Sequence, residues 1–339
     1  MSTVLIVGGA GFLGCALVAA LLRRADTVRV LDNVSTGSLG NLRLAALRGT
    51  REGEGRGGRA ASRLDVIVGD VRDPGVVRKA VRGATYVLHH AEWASRGGSA
   101  RHAEEITSVN VGGTLNVLRA AKAEGVRRVV YASNWSVYGC GRPLPLSESL
   151  VLAPASPYAA SKAAAEAYCH AYWEAYRLET VCLRYFNVYG PFQKGSAESG
   201  PVVPRFINAM LEGVQPTVYG DGQQTRDFIF VDDAVRATLA AVALPNVAGR
   251  CVNVASGCMT SIRQVWAMVS AMTGNGTEPR FAPARPCDVR QSLGDTTLAQ
   301  TLLNCTAEVS LADGFARTVE HFRETIKAAP ETPARSVPR

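Results

Sequence analysis

The chain has 339 residues, of which 47% are hydrophobic, and its formal net charge is +8. This length supports one or two domains around a large core, and no apolar run reaches the roughly 18 residues of a membrane span. The first residues lack the basic and small-residue signals of a secretory leader, so we expect a cytoplasmic protein.

The cysteines and the positive charge indicate neither a metal site nor a nucleic-acid site. The eight cysteines stand singly, without a CxxC or zinc-type spacing, and are interpreted as reduced thiols. The arginines are dispersed apart from a cluster at 48–63, and aromatic residues do not interleave them. We predict no nucleic-acid or membrane partner, and interpret the charge as a solvated surface or a basic cleft for an anionic ligand.

The chain begins with a buried strand, the sequence GGAGFLG at 8–14, and a helix predicted from Cys15 to Leu22. Gly8 permits a tight turn, Gly11 lets the backbone approach a pyrophosphate, and Gly14 lets the helix pack closely on the strand. The helix N-terminus then offers free N–H groups to phosphates. A glycine motif in this context predicts a dinucleotide site.

The next two predicted strands each end in an aspartate. Asp32 closes the strand at 28–32, where its carboxylate can accept hydrogen bonds from both ribose hydroxyls and would repel a 2′-phosphate. We therefore predict NAD in preference to NADP, with a strand-end cap as the alternative role of Asp32. Asp70 closes the strand at 65–70, where it could reach the adenine edge.

Two adjacent histidines, His89 and His90, lie at the end of the strand predicted at 85–91. A metal site would need further ligands, and no carboxylate or cysteine stands at ligand spacing from them. We therefore predict a strand-end role beside the cofactor and no bound metal.

Tyr158 and Lys162 lie four residues apart at the start of a helix predicted at 156–178. On a helix this spacing places both side chains on one face. An ammonium near a phenol favours the phenolate, so we expect the pKa of Tyr158 to fall from about 10 towards neutrality. A phenolate beside a sugar hydroxyl would supply the proton part of a hydride transfer. The pair alone is more typical of an ordinary surface helix, and the other motifs of the chain change that interpretation.

Strands and helices alternate as far as Gly190, with six or seven strands and a long helix at 106–124. This α/β alternation predicts a Rossmann fold, a doubly wound parallel sheet with right-handed connections. The predicted parts are an NAD-binding domain at 1–190 with a returning segment at about 225–258, a smaller C-terminal α/β substrate domain at 191–330, and a disordered tail at 331–339.

Several motifs in consistent order resemble the extended short-chain dehydrogenase/reductase family, within it the NAD-dependent nucleotide-sugar epimerases and dehydratases, and most of all the UDP-glucose 4-epimerases. They cover nearly the whole chain and are GGAGFLG at 8–14, LDNVSTG at 31–37, GDVRD at 69–73, VNVGGT at 109–114, SVYG at 136–139, SPYAASK at 156–162, RYFNVYGP at 184–191, VYGDGQQTRDFIFVDD at 218–233 and RPCDV at 285–289.

The resemblance implies a permanently bound NAD that serves as a reversible oxidant. By this resemblance Tyr158 takes the proton of the sugar 4-hydroxyl, while Lys162 contacts the nicotinamide ribose and lowers the tyrosine pKa. The implied cofactor-binding residues are Gly8, Gly11, Phe12, Leu13, Gly14, Asp32, Asn33, Ser35, Thr36, Gly37, Asp70, Val71, His90, Ala91, Asn110, Ser133, Tyr158, Lys162 and Tyr185.

The resemblance also implies a nucleotide sugar, a UDP-sugar above all, in the cleft between the domains. Arg226 and Arg285 match a diphosphate clamp, a role that suits guanidinium forks, and Asp288 matches a contact to the nucleotide ribose. Ser292 would border the sugar's C2 side, where its small size admits N-acetyl sugars. The implied substrate-binding residues are Glu92, Asn134, Tyr158, Asn187, Val203, Tyr219, Arg226, Arg285 and Asp288.

Two departures from the family pattern leave the details of the chemistry open. The family's catalytic Ser/Thr position holds Asn134, and an amide cannot relay a hydroxyl proton. Ser133 or Ser136 could substitute, Tyr158 could act alone, or the site could suit another substrate. Glu92 stands where the family keeps small residues, and it could add an acid/base group or point to solvent.

The turn before VYG favours an epimerase. The family's dehydratases carry Asp-Glu there and its decarboxylases a Glu, because those reactions need further acid/base groups; this chain has Trp135 and Ser136. We expect a 4-epimerase acting on UDP-glucose/galactose, UDP-N-acetylglucosamine or a UDP-uronic acid through a 4-keto sugar. A dehydratase or decarboxylase, or a non-catalytic NAD or nucleotide-sugar binding protein, are the alternatives. Family analogy implies a homodimer formed through the helices at 106–124 and 156–178.

Overall fold

A seven-stranded parallel sheet forms the centre of the molecule, in the computed structural model that describes residues 2–24, 26–49, 63–94, 99–197, 200–284 and 289–328. The strands are β1 (Thr3–Val7), β2 (Thr27–Asp32), β3 (Leu64–Val68), β4 (Tyr86–His89), β5 (Arg128–Asn134), β6 (Glu179–Tyr185), β7 (Asn187–Tyr189), β8 (Thr217–Tyr219), β9 (Thr225–Phe230), β10 (Arg250–Val254), β11 (Met259–Ser261) and β12 (Arg280–Ala282). The order in the central sheet is β10-β6-β5-β4-β1-β2-β3, with parallel pairing throughout.

Helices cover both faces of this sheet. The α-helices of the described residues are α1 (Phe12–Arg23), α2 (Leu39–Arg48), α3 (Pro74–Val81), α4 (Ala103–Thr107), α5 (Gly113–Ala123), α6 (Pro157–Tyr176), α7 (Val202–Leu211), α8 (Val231–Ala243), α9 (Ile262–Thr273), α10 (Thr297–Leu303) and α11 (Leu311–Ala328). Alternate residues of β1 enter opposite cores, since Val4 and Ile6 pack with α1 whereas Leu5 and Val7 pack with α3 and α5. This alternation is what a strand buried on both faces requires.

The later part of the chain builds two smaller sheets, one with the order β11-β9-β7 and one that pairs β12 with β8. Helices α7, α9 and α11 pack against one another beside them. The strand order of the central sheet reverses between β1 and β4, and such a reversal opens a crevice at the carboxyl ends of the two strands.

The predicted Rossmann-type α/β fold is confirmed, but several element boundaries were wrong. The helix expected at 106–124 starts at Ala103 and contains a π-helical turn at Ser108–Gly112 before α5. β6 ends at Tyr185, and the following β7 leaves the central sheet to pair with β9. Of the returning segment, β10 rejoins the central sheet, whereas β9 does not.

The disordered tail predicted at 331–339 lies outside the described residues, as does most of the arginine cluster at 48–63. Within the described ranges, no helix is both long and apolar enough to cross a membrane.

Candidate active site

A cleft of about 1380 Å³ opens at the carboxyl ends of the central strands. The glycine-rich turn after β1 lines one part of it, and Tyr158 at the start of α6 lines another. The cleft thus lies at the strand-order reversal, where open α/β sheets bind their ligands.

The glycine-rich turn has no room for larger residues. Gly8 has φ +87°, and a Cβ on it would lie 2.5 Å from the backbone nitrogen of Ala91. A Cβ on Gly14 would lie 2.3 Å from the carbonyl oxygen of Gly8. Helix α1 begins after Gly11 without a side-chain cap and without an acidic residue in its first turn. Its first N–H groups are therefore available to an anionic ligand.

Asp32 holds the backbone around the cleft while keeping its negative charge there. Its Oδ2 accepts a hydrogen bond from the Ala10 nitrogen at 2.9 Å, and its Oδ1 accepts one from the Val34 nitrogen at 2.7 Å. Each carboxylate oxygen has a further lone pair for a ribose hydroxyl, and the charge disfavours a 2′-phosphate.

Asp70 also lines the cleft, where it forms an ion pair with Arg72 at 2.7 Å. Hydrogen bonds from Arg72, and a weaker one from Asn33, hold the pKa of the Asp70 carboxyl well below its usual range. The sequence analysis did not anticipate Arg72 beside this carboxylate.

Most of the predicted cofactor residues line this cleft. They are Gly8, Gly11, Phe12, Leu13, Gly14, Asp32, Asn33, Ser35, Thr36, Asp70, Val71, His90, Ala91, Ser133, Tyr158 and Tyr185. Gly37 does not, because it packs against Ala10. Lys162 is only 2% exposed and lies beneath the surface of the cleft.

Asn110 was predicted to bind the cofactor, but it holds two protein segments together. Its Nδ2 donates to Ser161 Oγ on α6 at 2.9 Å, and its Oδ1 accepts from the Trp93 backbone nitrogen at 2.7 Å. Asn110 itself is buried in the π-helical turn. It therefore fixes the loop after β4 relative to α6.

Tyr158 and Lys162 meet at a carboxylate. Helix α6 starts at Pro157 and is capped by Ser156, whose Oγ accepts from the Ala159 nitrogen. The Tyr158 hydroxyl donates to Glu92 Oε2 at 2.9 Å, and Lys162 Nζ lies 2.5 Å from the same oxygen. Lys162 also donates to the carbonyl oxygen of Ala132 at 2.7 Å.

The predicted lowering of the tyrosine pKa was wrong for this arrangement. Burial raises the pKa of Tyr158 well above its usual value, and the Glu92 carboxylate raises it further by accepting the phenolic proton's hydrogen bond. The Lys162 charge, expected to face the phenol, is met instead by Glu92. Both effects favour the neutral phenol of Tyr158.

The two histidines are neutral and close to this pair. Burial and the Lys162 charge lower the pKa of both His89 and His90 to about 3. The His89 ring nitrogen Nε2 lies 2.9 Å from Thr114 Oγ1, whereas His90 lines the cleft. No cluster of ligands that could hold a metal is present in the part of the chain that the structure describes.

Among the described residues, Ser133, Asn134 and Ser136 form no hydrogen bond with the Tyr158 side chain. Ser133 donates to Glu166 Oε1 at 2.5 Å. The Asn134 side chain lines the cleft but accepts the Ser136 backbone N–H at 2.9 Å. The hydroxyl of Ser136 is buried and has no partner among the described residues. The partner that Tyr158 does have, Glu92, comes from another loop.

The predicted substrate residues divide into two groups. Asn187 lines the cleft with Glu92 and Asn134, and its buried Oδ1 has no partner in the described parts of the chain. Val203 does not line the cleft, because it is 1% exposed and packs in the core. Ser292 is fully buried with its Oγ against the Asp227 backbone nitrogen, so it does not border the cleft.

Tyr219 on β8 and Arg226 on β9 also lie outside the lining of this cleft. Arg226 Nη1 donates to the Thr225 carbonyl oxygen at 2.8 Å. Arg285 and Asp288 lie outside the described residues.

Lys194 is a cleft residue that the sequence analysis missed. Its Nζ donates to the Gly37 carbonyl oxygen at 2.6 Å, which joins the segment after β7 to the segment after β2. A single lysine next to the RYFNVYGP motif was the available signal, because a cation suits a cleft that receives phosphates.

Comparison with known proteins identifies the family of this chain. The model of the NAD dependent epimerase/dehydratase family matches residues 4–255. The chain belongs to this family. The UDP-glucose 4-epimerase of Mycolicibacterium smegmatis is 36% identical over 321 residues, which cover 94% of this chain and 98% of that protein.

Other members differ in their reactions. The UDP-N-acetyl-alpha-D-glucosaminuronate decarboxylase of Bacillus cytotoxicus is 31% identical over 332 residues, 94% of this chain and 97% of that protein. A dTDP-glucose 4,6-dehydratase from Streptomyces venezuelae, solved with NAD and TYD bound, superposes with a TM-score of 0.86. It is 32% identical and covers 96% of this chain and 98% of its own.

The cofactor of this epimerase/dehydratase family member is NAD, as predicted. The residues present fit it. The uncapped start of α1 suits the pyrophosphate, and the Asp32 carboxylate suits a ribose without a 2′-phosphate. The buried His90 Nε2 has no partner among the described residues, so a polar ligand group in the cleft can satisfy it.

Proposed function

We propose that this protein is an NAD-dependent UDP-sugar 4-epimerase that works through a transient 4-keto sugar. One observation carries the proposal. Tyr158 lies in the cleft near Lys162 and donates a hydrogen bond to a carboxylate of the cleft, Glu92. Among the described residues, Glu92 is the single acidic neighbour of Tyr158. The other carboxylates that line the described cleft, Asp32 and Asp70, are bound by the glycine-rich turn and by Arg72. Elimination or decarboxylation would need further acid/base groups.

The residues divide the chemistry as follows. Bound NAD would supply a reversible hydride acceptor for the hydrogen of sugar C4. Tyr158 removes and returns the proton at O4, because its hydroxyl lines the cleft. Asn187 offers an unsatisfied carbonyl oxygen to the substrate. Glu92 accepts the hydrogen bond of the phenol and forms an ion pair with Lys162.

The test is incubation of the NAD-loaded protein with UDP-glucose, UDP-N-acetylglucosamine and UDP-glucuronic acid, with products identified by NMR and mass spectrometry. We expect an isomer of unchanged mass, inverted at C4, from at least one donor. A product lighter by water or carbon dioxide would contradict the epimerase.

A matched variant separates an enzyme from a binding protein. Tyr158→Phe keeps the ring but lacks the proton-carrying hydroxyl, so we expect kcat to fall by about 10²–10⁴-fold. Full activity in this variant would refute the role of Tyr158. Unfolding temperature and bound NAD serve as controls for an intact fold.

One observation favours a second candidate. Glu92 Oε1 has no donor among the described residues, and the side chain is 32% exposed in the cleft. A carboxylate with an open oxygen can act on a second sugar carbon, as dehydration or decarboxylation requires. The mass of the product decides between the two.

A further inference from the structure

One oxygen of Glu92 joins the phenol and the ammonium. Oε2 lies 2.9 Å from the Tyr158 hydroxyl oxygen and 2.5 Å from Lys162 Nζ. The first contact is a hydrogen bond and the second is an ion pair. The two donors thus already converge on the atom that would receive a proton from Tyr158.

The position of Glu92 is fixed by its neighbour in the chain. The Trp93 backbone nitrogen donates to Asn110 Oδ1, and Asn110 Nδ2 donates to the Trp93 carbonyl oxygen at 3.3 Å and to Ser161 on α6. Because α6 also carries Tyr158, this clamp sets the distance between the carboxylate and the phenol. The Glu92–Tyr158 contact is therefore built into the fold and is not a chance contact between two mobile side chains.

Among the described residues, neither Ser133 nor Asn134 can take the phenolic proton of Tyr158. The nearby hydroxyl of Ser133 already donates to Glu166. The amide oxygen of Asn134 is occupied by the Ser136 N–H, and an amide cannot carry a proton onward. Glu92 is the acceptor that remains.

We propose that Glu92 receives the phenolic proton of Tyr158 at the moment when Tyr158 takes the proton of the sugar 4-hydroxyl. The inference rests on the proposed function. The O4–H and Tyr158 Oη–H bonds break, and new Oη–H and Glu92 Oε2–H bonds form. The electron pair of the C4–H bond goes to the bound NAD, and every proton returns along the same route. Glu92 acts through Tyr158 and is therefore a positioning residue.

The electrostatics of the site favour this route over a free phenolate. Burial and the Glu92 carboxylate both favour the protonated phenol. The groups that face the pair are Lys162 from α6, Tyr131 from β5, and the neutral His89 and His90 at the end of β4. Lys162 is the one cation among them. It balances the Glu92 charge before the transfer, so the relay needs no phenolate at rest.

The decisive variant is Glu92→Gln in the NAD-loaded, full-length protein. The amide oxygen still accepts from Tyr158 and Lys162, but it cannot be protonated near neutral pH. We expect kcat to fall about 100-fold at neutral pH. We also expect it to rise about tenfold per pH unit towards alkaline pH, because Tyr158 must then ionise before it can take the O4 proton. The wild type should lack this rise.

A second readout needs no substrate. The tyrosinate absorbance of each protein, minus that of the same protein with Tyr158→Phe, reports the ionisation of Tyr158 alone. We expect the pKa of Tyr158 to be lower in Glu92→Gln than in the wild type, because the carboxylate charge has gone. An unchanged tyrosine titration would overturn the proposed coupling.

Two further variants serve as controls. Glu92→Asp keeps the carboxylate and should restore much of the rate and the wild-type pH profile, whereas Glu92→Ala should show the same alkaline recovery as Glu92→Gln. The proposal is wrong if Glu92→Gln and Glu92→Ala keep kcat within about threefold of the wild type. It is also wrong if the loss of kcat is equal at all pH values, or if added NAD restores kcat. Absence of any epimerisation by the wild type would refute the proposed function instead.

Discussion

Two glutamate–cation pairs involve residues of α6 about one helical turn apart. They differ in how many of their carboxylate oxygens have hydrogen-bond donors. Lys162 points from α6 to Glu92, and Glu166, four residues later, points to Arg184 on β6. The first pair touches the Tyr158 hydroxyl and the second touches the Ser133 hydroxyl. Both pairs therefore involve a hydroxyl that the sequence analysis predicted to lie in the site.

Donors fill both oxygens of Glu166. Oε1 accepts from Ser133 and from Arg184 Nε at 2.9 Å, and Oε2 accepts from Arg184 Nη2 at 2.7 Å and lies 3.8 Å from Cys251 Sγ. The Glu166 and Arg184 side chains are 4% and 5% exposed, whereas Glu92 is 32% exposed with one oxygen open. A saturated buried pair can only hold the fold, while an open pair can take up a proton or a ligand.

Replacing glutamate by glutamine in each pair tests this difference, and we expect the larger effect at Glu166. In Glu166→Gln the amide NH₂ must face a donor in either orientation, and Arg184 keeps a buried charge without its counter-ion. We expect the free energy of unfolding to fall by about 3–5 kcal/mol, measured by urea unfolding of the NAD-loaded protein.

A double variant tests the cause of that loss. Glu166→Leu with Arg184→Met removes both charges, so most of the stability should return. If Glu166→Gln alone costs less than about 1 kcal/mol, the pair does not stabilise the fold as described.

The fold could be predicted because its signals are local. The buried runs of β1 and β2, with helices between them, specify a parallel sheet, and the glycine-rich turn specifies where a dinucleotide binds. The departure of β7 from the central sheet could not be predicted, since a short apolar run does not reveal its pairing partner.

The site could be predicted only in part. Tyr158 and Lys162 were found because their spacing lies within one helix. The contact between Tyr158 and Glu92 spans 66 residues and depends on the clamp by Asn110, so no sequence spacing could indicate it. Burial and the contact with Glu92 raise the pKa of Tyr158. The lowered pKa that was inferred from Lys162 alone was therefore wrong.

Glu92→Gln provides the matched measurement at the open pair. The amide oxygen can replace Oε2, and the NH₂ group can take the place of Oε1, which has no donor among the described residues. We expect the free energy of unfolding to change by about 1 kcal/mol or less, in the same urea experiment. A loss as large as that of Glu166→Gln would show that Glu92 chiefly holds the fold, and a loss of kcat in this variant would then carry no mechanistic meaning.

Ser133→Ala shows to which pair this serine belongs. Its hydroxyl donates to an oxygen that Arg184 Nε also reaches, so its removal leaves Glu166 with partners. We expect a loss of about 1 kcal/mol, and a smaller loss when Glu166 is already Gln, because the charged acceptor has gone. Additive losses in the double variant would mean that the hydroxyl stabilises the protein through some other contact. We expect Ser133→Ala to leave the tyrosinate titration of Tyr158 unchanged, whereas Glu92→Gln should shift it. Together, the two results would separate the two pairs by function as the structure separates them by geometry.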